Sequence, residues 1–125
     1  MIPDYWTDFV SKNKLIGATA AVPEAFDRSG LGAELAFLTE EQSVDEATHY
    51  WPGIVVAKDG YVPVGSCLVG SGDFYYIKTS EGPAGALYRI YHDAVAEEGY
   101  DPGEAIALVL GAYRELLDHV ERPQP

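Results

Sequence analysis

The sequence predicts an α+β fold: a twisted, mainly antiparallel sheet of about five strands, flanked by an N-terminal and a C-terminal helix. Three observations carry this. Apolar residues recur at helical spacing near both ends of the chain. Between residues 54 and 92 the period changes to two, the spacing of strands. Glycine, proline and aspartate then break that middle into short runs. With 125 residues the chain suits one domain, spanning 1–125, large enough to bury an ordinary apolar core.

The first helix is expected over residues 2–13. Ile2, Tyr5, Trp6, Phe9 and Val10 fall on one stripe, Pro3 suits the first turn, and Asn13 and Gly17 are stops. Residues 14–32 read as a loop, with "AVPEAF" (21–26) a connector, and "AELAFL" (33–38) reads as a strand. A short acidic helix follows. Thr39 caps it with Gln42 three positions on, and Glu40 and Glu41 favour the positive end of its dipole. Val44, Ala47 and Trp51 form its inward stripe, and Pro52-Gly53 stops it.

"IVVAK", "YVPV", "DFYYIKT" and "ALYRIYH" are the strands of the middle. Asp59-Gly60 between the first two predicts a two-residue hairpin. In "DFYYIKT" both faces are apolar, which places that strand centrally, covered on both sides. The final helix is expected from Asp101, its cap, to about Glu121, with Pro102 in its first turn. Its stripe is Ile106, Val109, Leu110, Tyr113, Leu117 and Val120; Arg114–Asp118 and Asp118–Arg122 pair on the outer face, and Pro123 ends it.

Twenty acids against eight bases give a formal charge of −12. Such a field repels nucleic acid and anionic lipid and attracts basic partners. The acids cluster: residues 24–50 hold seven with only Arg28 opposing, and residues 93–104 hold Asp93, Glu97, Glu98, Asp101 and Glu104 with no base. A single cysteine, Cys67, forbids an internal disulfide and fits a reducing compartment. No apolar run reaches membrane-spanning length, and the first residues do not resemble a signal peptide. A cytoplasmic protein is expected.

The chemistry of catalysis is sought and mostly not found. "VPVGSCLVGSGDFYYI" (62–77) concentrates glycines, and Gly65 and Gly70 have the spacing of a phosphate-binding loop. Ser71 and Gly72 follow instead of the required lysine and hydroxyl residue, and the next element is a strand, so no helix N-terminus meets a ligand. The loop is expected to turn the chain between antiparallel strands, with Asp73 closing it. His49, His92 and His119 lie on separate elements without metal-binding spacing, and His92-Asp93 suits a surface or hydrogen-bonded histidine. Cys67 has no nucleophile elbow around it. No cofactor, no metal and no enzymatic activity are expected.

Several stretches, in order, resemble the SUKH superfamily, which includes a yeast regulator of cell-wall synthesis and many bacterial immunity proteins. "IPDYWTDFVSKN" (2–13) is similar to its early helix. "VPVGSCLVGSGDFYYI" is similar to its Pro-x-Gly loop, Gly-Asp and strand, and "GALYRIYHD" (85–93) to the strand that follows. The alanine- and glycine-rich residues 14–32 depart from the family, which often shows Asn-Gly-Gly there. The resemblance covers residues 2 to about 120 and implies an immunity protein that binds and silences a toxin, often a nuclease with a basic cleft. An alternative from another class is a regulatory or scaffolding domain, and a small hydrolase using Cys67 or a carboxylate pair ranks last. The expected partner is a basic protein, with neither nucleic acid nor membrane. The expected contacts are Glu40, Glu41, Asp45 and Glu46 with Tyr50 and Trp51 as aromatic anchors, or the loop carrying Glu97, Glu98 and Asp101.

Overall fold

The computed structural model describes residues 2–122. It is α+β, as expected, but richer in strands. The first helix, α1, is Asp4–Lys12, with Pro3 at its N-cap and Asn13 at its C-cap; Trp6, Phe9 and Val10 are buried along it. The strands β1 (Thr19–Val22) and β2 (Ala33–Phe37) follow and pair antiparallel. Residues 14–32 therefore are not all loop. Small alanines make β1 quiet in sequence, and pairing with β2 decides it.

Helix α2 (Glu40–His49) starts at a full capping box, Thr39 and Gln42 exchanging hydrogen bonds of 2.9 and 3.1 Å. Its inward side is Ser43 and Ala47, whereas Val44 and Trp51, expected inward, are exposed. The expected strand "IVVAK" is a second short helix, α3 (Gly53–Val56), running into a 3₁₀ turn at Ala57–Asp59. Pro52 at its N-cap starts it, and α2 packs close against it: a Cβ on Gly53 would lie 2.2 Å from the Glu46 carbonyl oxygen. Asp59-Gly60 makes no hairpin. Gly60, at φ 90°, ends the 3₁₀ turn and leads into the first long strand.

That strand is β3 (Tyr61–Cys67), which pairs antiparallel with β4 (Phe74–Lys78) across the glycine loop. The loop thus turns the chain, as its composition implied. Then come β5 (Leu87–Ile90), the two-residue strands β6 (Val95–Ala96) and β7 (Gly99–Tyr100), which pair with each other, and the four-residue helix α4 (Pro102–Ala105). Asp101 does cap α4, accepting from the Gly103 N–H at 2.9 Å.

The long C-terminal helix is overturned. After one turn the chain becomes β8 (Ile106–Leu110), which pairs with β5, then a 3₁₀ segment over Tyr113–His119, then β9 (Val120–Glu121), which pairs with β1. "IALVL" satisfies either period, and an open neighbour at β5 settles it as a strand. The expected surface pairs give way with the helix. Arg114 donates to the Pro83 carbonyl, and Arg122 to the carbonyls of Asn13 and Lys14. Pro123, expected to end the helix, lies outside the described residues.

The main sheet has the order β8-β5-β4-β3-β2-β1-β9. Its two edge strands are joined by residues 111–119 alone. A flat sheet of seven strands would hold them about 29 Å apart, and a mostly 3₁₀ link of this length spans roughly 24 Å at best. The sheet must curl, and a hydrogen bond of 2.8 Å from the Arg28 N–H to the Val109 carbonyl also draws the β1–β2 loop to the far edge.

Each face of the sheet has its own core. Inside the curl, Val62, Val64, Tyr75, Ile77, Leu35 and Leu87 pack against Trp6, Phe9, Tyr113 and Leu116. On the outer face, Tyr61, Tyr76 and Ile90 pack against Val55, Val56, Val95 and Ala105. Alternate residues of β4 enter the two cores, as its doubly apolar sequence required. No helix among the described residues is long and apolar enough to cross a membrane.

Candidate functional site

The layer over the outer face is built from two stretches of chain, residues 39–60 and 91–105. Both acidic patches singled out from the sequence lie on it. Glu40, Glu41 and Asp45 are exposed along α2, and Glu46 is half-buried below them. Tyr50 and Trp51, at the end of α2, are 52% and 38% exposed. Glu97 and Glu98 occupy the exposed turn between β6 and β7, and Asp101 is exposed ahead of α4.

Two hydrogen bonds stitch the stretches together. The Trp51 indole N–H donates to the His92 carbonyl at 3.3 Å, and the Tyr100 hydroxyl donates to Asp59 at 2.6 Å. What the sequence offered as alternatives thus belongs to one layer. The structure adds Asp59, Asp93 and Glu104, all exposed, and the apolar Ile54, which is 39% exposed. Asp93 and Glu104 stand in the acid-rich run already visible in sequence. Ile54 was masked by reading its segment as a strand.

Altogether this layer carries ten of the twenty acids and one of the eight bases, Lys58. Few internal partners quench the field. Asp45 meets His49 Nδ1 at 2.9 Å on the exposed helix surface, a pair worth little in water. Burial, and then the neighbouring Asp45 charge, push the Glu46 carboxyl above its ordinary value, the expected response of a carboxylate that loses solvent beside another acid.

A buried ionic cluster braces the turn after β5, with Arg89 on the inner face of the sheet opposite Tyr75. Asp73 and Arg89, each 6% exposed, meet through Nε at 3.4 Å. Asp73 also accepts from the His92 backbone N–H at 2.9 Å and contacts His92 Nδ1 at 2.6 Å, while Asp93 contacts His92 Nε2 at 3.0 Å. Asp73 therefore does close the glycine loop, by binding the turn after β5. The sequence signal was an arginine inside an apolar strand, "LYRIY", which needs a buried partner. The hydrogen bond to Asp73 raises the His92 pKa, with the charges of Asp93 and Asp73 adding and burial opposing. This cluster fixes the turn whose carbonyl receives Trp51, so it positions the junction between the two acidic stretches.

Among the described residues no group of three His, Cys, Asp or Glu is placed to hold a metal ion. The acidic layer is a charged surface that also exposes the apolar side chains of Tyr50, Trp51 and Ile54. Compared with family models, curated proteins and solved structures, the chain matches none of them.

Proposed function

We propose that this protein is a non-catalytic inhibitor, an immunity protein of SUKH type that binds a basic toxin domain through its acidic layer. The observation that carries the reading is the concentration of ten carboxylates against one lysine over a single face. Carboxylates on an inhibitor can occupy the positions that phosphates would take in a nuclease cleft, and their field speeds encounter. Tyr50, Trp51 and Ile54 supply apolar area within that field, as interface centres commonly do. The sequence resemblance supports the same reading.

The test is capture and protection in the cells that make the protein. Tagged chain recovered at about 0.05 M salt should bring down a basic polypeptide with a toxin domain, and expression of the chain should protect cells producing that domain. Recovery of only acidic partners, or capture without protection, would count against the inhibitor reading. A regulatory docking domain would then be the better account.

A further inference from the structure

Where the inner layer meets the acidic one, α1 and the first turn of α2 leave a cleft of about 360 Å³ between them. That volume falls within the range of small-molecule sites. Its walls are apolar, formed by Ile2, Trp6, Val10, Ile16 and Leu38. Ile16 is 50% exposed, a large apolar side chain that the fold itself leaves half uncovered.

Two features exceed what a gap between helices requires. The first is Ser43, which lies on the inward side of α2 one turn before Ala47 and is 1% exposed. Its backbone N–H donates to the Thr39 carbonyl. Its hydroxyl makes no hydrogen bond among the described residues, and the cleft is what Ser43 lines. Buried hydroxyls are normally satisfied, and an unsatisfied one costs stability; an alanine, as at position 47, would serve packing alone. The second feature is the one-sidedness of the polar groups. The Thr7 hydroxyl donates to the Asp4 carbonyl at 3.1 Å, so toward the cleft it can only accept. Glu40, the exposed first residue of α2, also accepts. Among the described lining residues there is no Lys, Arg or His. Acceptors over apolar walls suit a donor with an apolar body and disfavour an anion.

We propose that this cleft binds a small primary amine with an apolar body, an alkyl- or arylalkylammonium. Its ammonium donates to the Ser43 hydroxyl and faces Glu40, while its body lies against Trp6, Val10 and Leu38. A primary ammonium brings three donors and no acceptor, the complement of the groups present. The body removes apolar wall from water, Ile16 included, which adds to the affinity. The site does not depend on the inhibitor reading, because the amine meets the isolated protein.

Phenethylamine titrated into the purified protein near neutral pH, at about 0.15 M salt, should bind with Kd below about 1 mM. Calorimetry gives the affinity, and heteronuclear NMR should place the amide shifts on α1, Ile16 and the first turn of α2. Phenylacetate, which keeps the body and reverses the charge, should bind at least tenfold more weakly, and so should methylammonium, which keeps the charge without the body. Ser43→Ala should be at least as stable as wild type without ligand, since it removes an unpaired hydroxyl, and should bind the amine about tenfold more weakly. Glu40→Gln should weaken the amine severalfold. Methylammonium binding as tightly as phenethylamine would reveal only diffuse attraction to the net charge of −12 and overturn the proposal. Phenylacetate binding as tightly, an affinity indifferent to Ser43→Ala, or no binding up to about 10 mM amine would overturn it as well.

Discussion

The two layers that cover this sheet are made differently. Inside the curl, α1 and the 3₁₀ segment Tyr113–His119 bring large aromatics to a core of nineteen buried residues, with Trp6, Phe9 and Tyr113 meeting at centroid distances of 4.9 to 5.5 Å. Those two elements carry four acids, Asp4, Asp8, Glu115 and Asp118, against two bases, Lys12 and Arg114. Among the described residues the outer core holds only seven buried residues, and the layer over it is short-helical and strongly acidic. Apolar burial grows with the number and size of the side chains involved. Stability therefore concentrates inside the curl, while the outer layer bears like-charge repulsion. Under the function proposed above, the inner face holds the fold and the outer face meets the partner.

The largest test of that division compares one truncation in each core. Trp6→Ala, in the inner core at 2% exposure, should cost about 4 kcal/mol. Val56→Ala, fully buried in the outer core, should cost about 2 kcal/mol, the loss of two methyl groups plus a small cavity. Urea unfolding midpoints at constant slope measure both. Equal costs would mean that the outer layer is as much a part of the stabilising core as the inner one, and the comparison would collapse.

A smaller effect is expected from charge. Asp45→Lys with Glu98→Lys reverses one carboxylate on each stretch of the acidic layer, and both side chains are exposed, so the fold should persist. Association with a captured basic partner should slow about tenfold at low salt. Raising salt from about 0.05 to 0.5 M should erase most of the difference, because the Debye length falls to a few ångströms. Asp8→Lys with Asp118→Lys makes the same change of charge on the opposite layer, also at exposed positions. Stopped-flow association rates separate the two. If both pairs slow binding equally, net charge acts and the acidic face does not.

How far the sequence disclosed this arrangement depends on which physics decided each element. Local signals read well: the Trp6-Phe9-Val10 stripe of α1, the Thr39–Gln42 box of α2, the Asp101 cap of α4, and the two apolar faces of β4. Long-range pairing did not. "IALVL" and "TAAV" become strands because β5 and β2 offer free edges, and two-residue β9 exists only through the return of the chain to β1. "IVVAK" has strand propensity, yet Pro52 and the close approach at Gly53 fold it as a helix against α2. For the site, both clusters of carboxylates were legible as composition. Their union into one layer was not, because it rests on Trp51 meeting His92 and Tyr100 meeting Asp59, contacts 41 residues apart in sequence.

The smallest effect concerns the joint between those stretches. His92 lies between Asp73 and Asp93, with Arg89 on the far side of Asp73. Its folded pKa is raised, chiefly by the hydrogen bond to Asp73, while in the unfolded chain it returns to about 6.5. A group whose folded pKa is raised binds its proton more tightly when folded, so its stabilisation is fully present below the unfolded value. It is lost as pH rises through the folded value. Wild-type stability relative to His92→Asn should therefore decline as pH rises from about 6.5, the unfolded value, through the raised folded one, by an amount limited by the solvent that reaches the imidazole. The loss should be felt where His92 works, at the turn that accepts the Trp51 indole N–H. Amide exchange of residues 91–95 should quicken over that pH range in the wild type, whereas inner-core amides of β3 and β4 keep their protection. A wild-type advantage over His92→Asn that is constant across the range would show that the imidazole does not hold the joint through its proton.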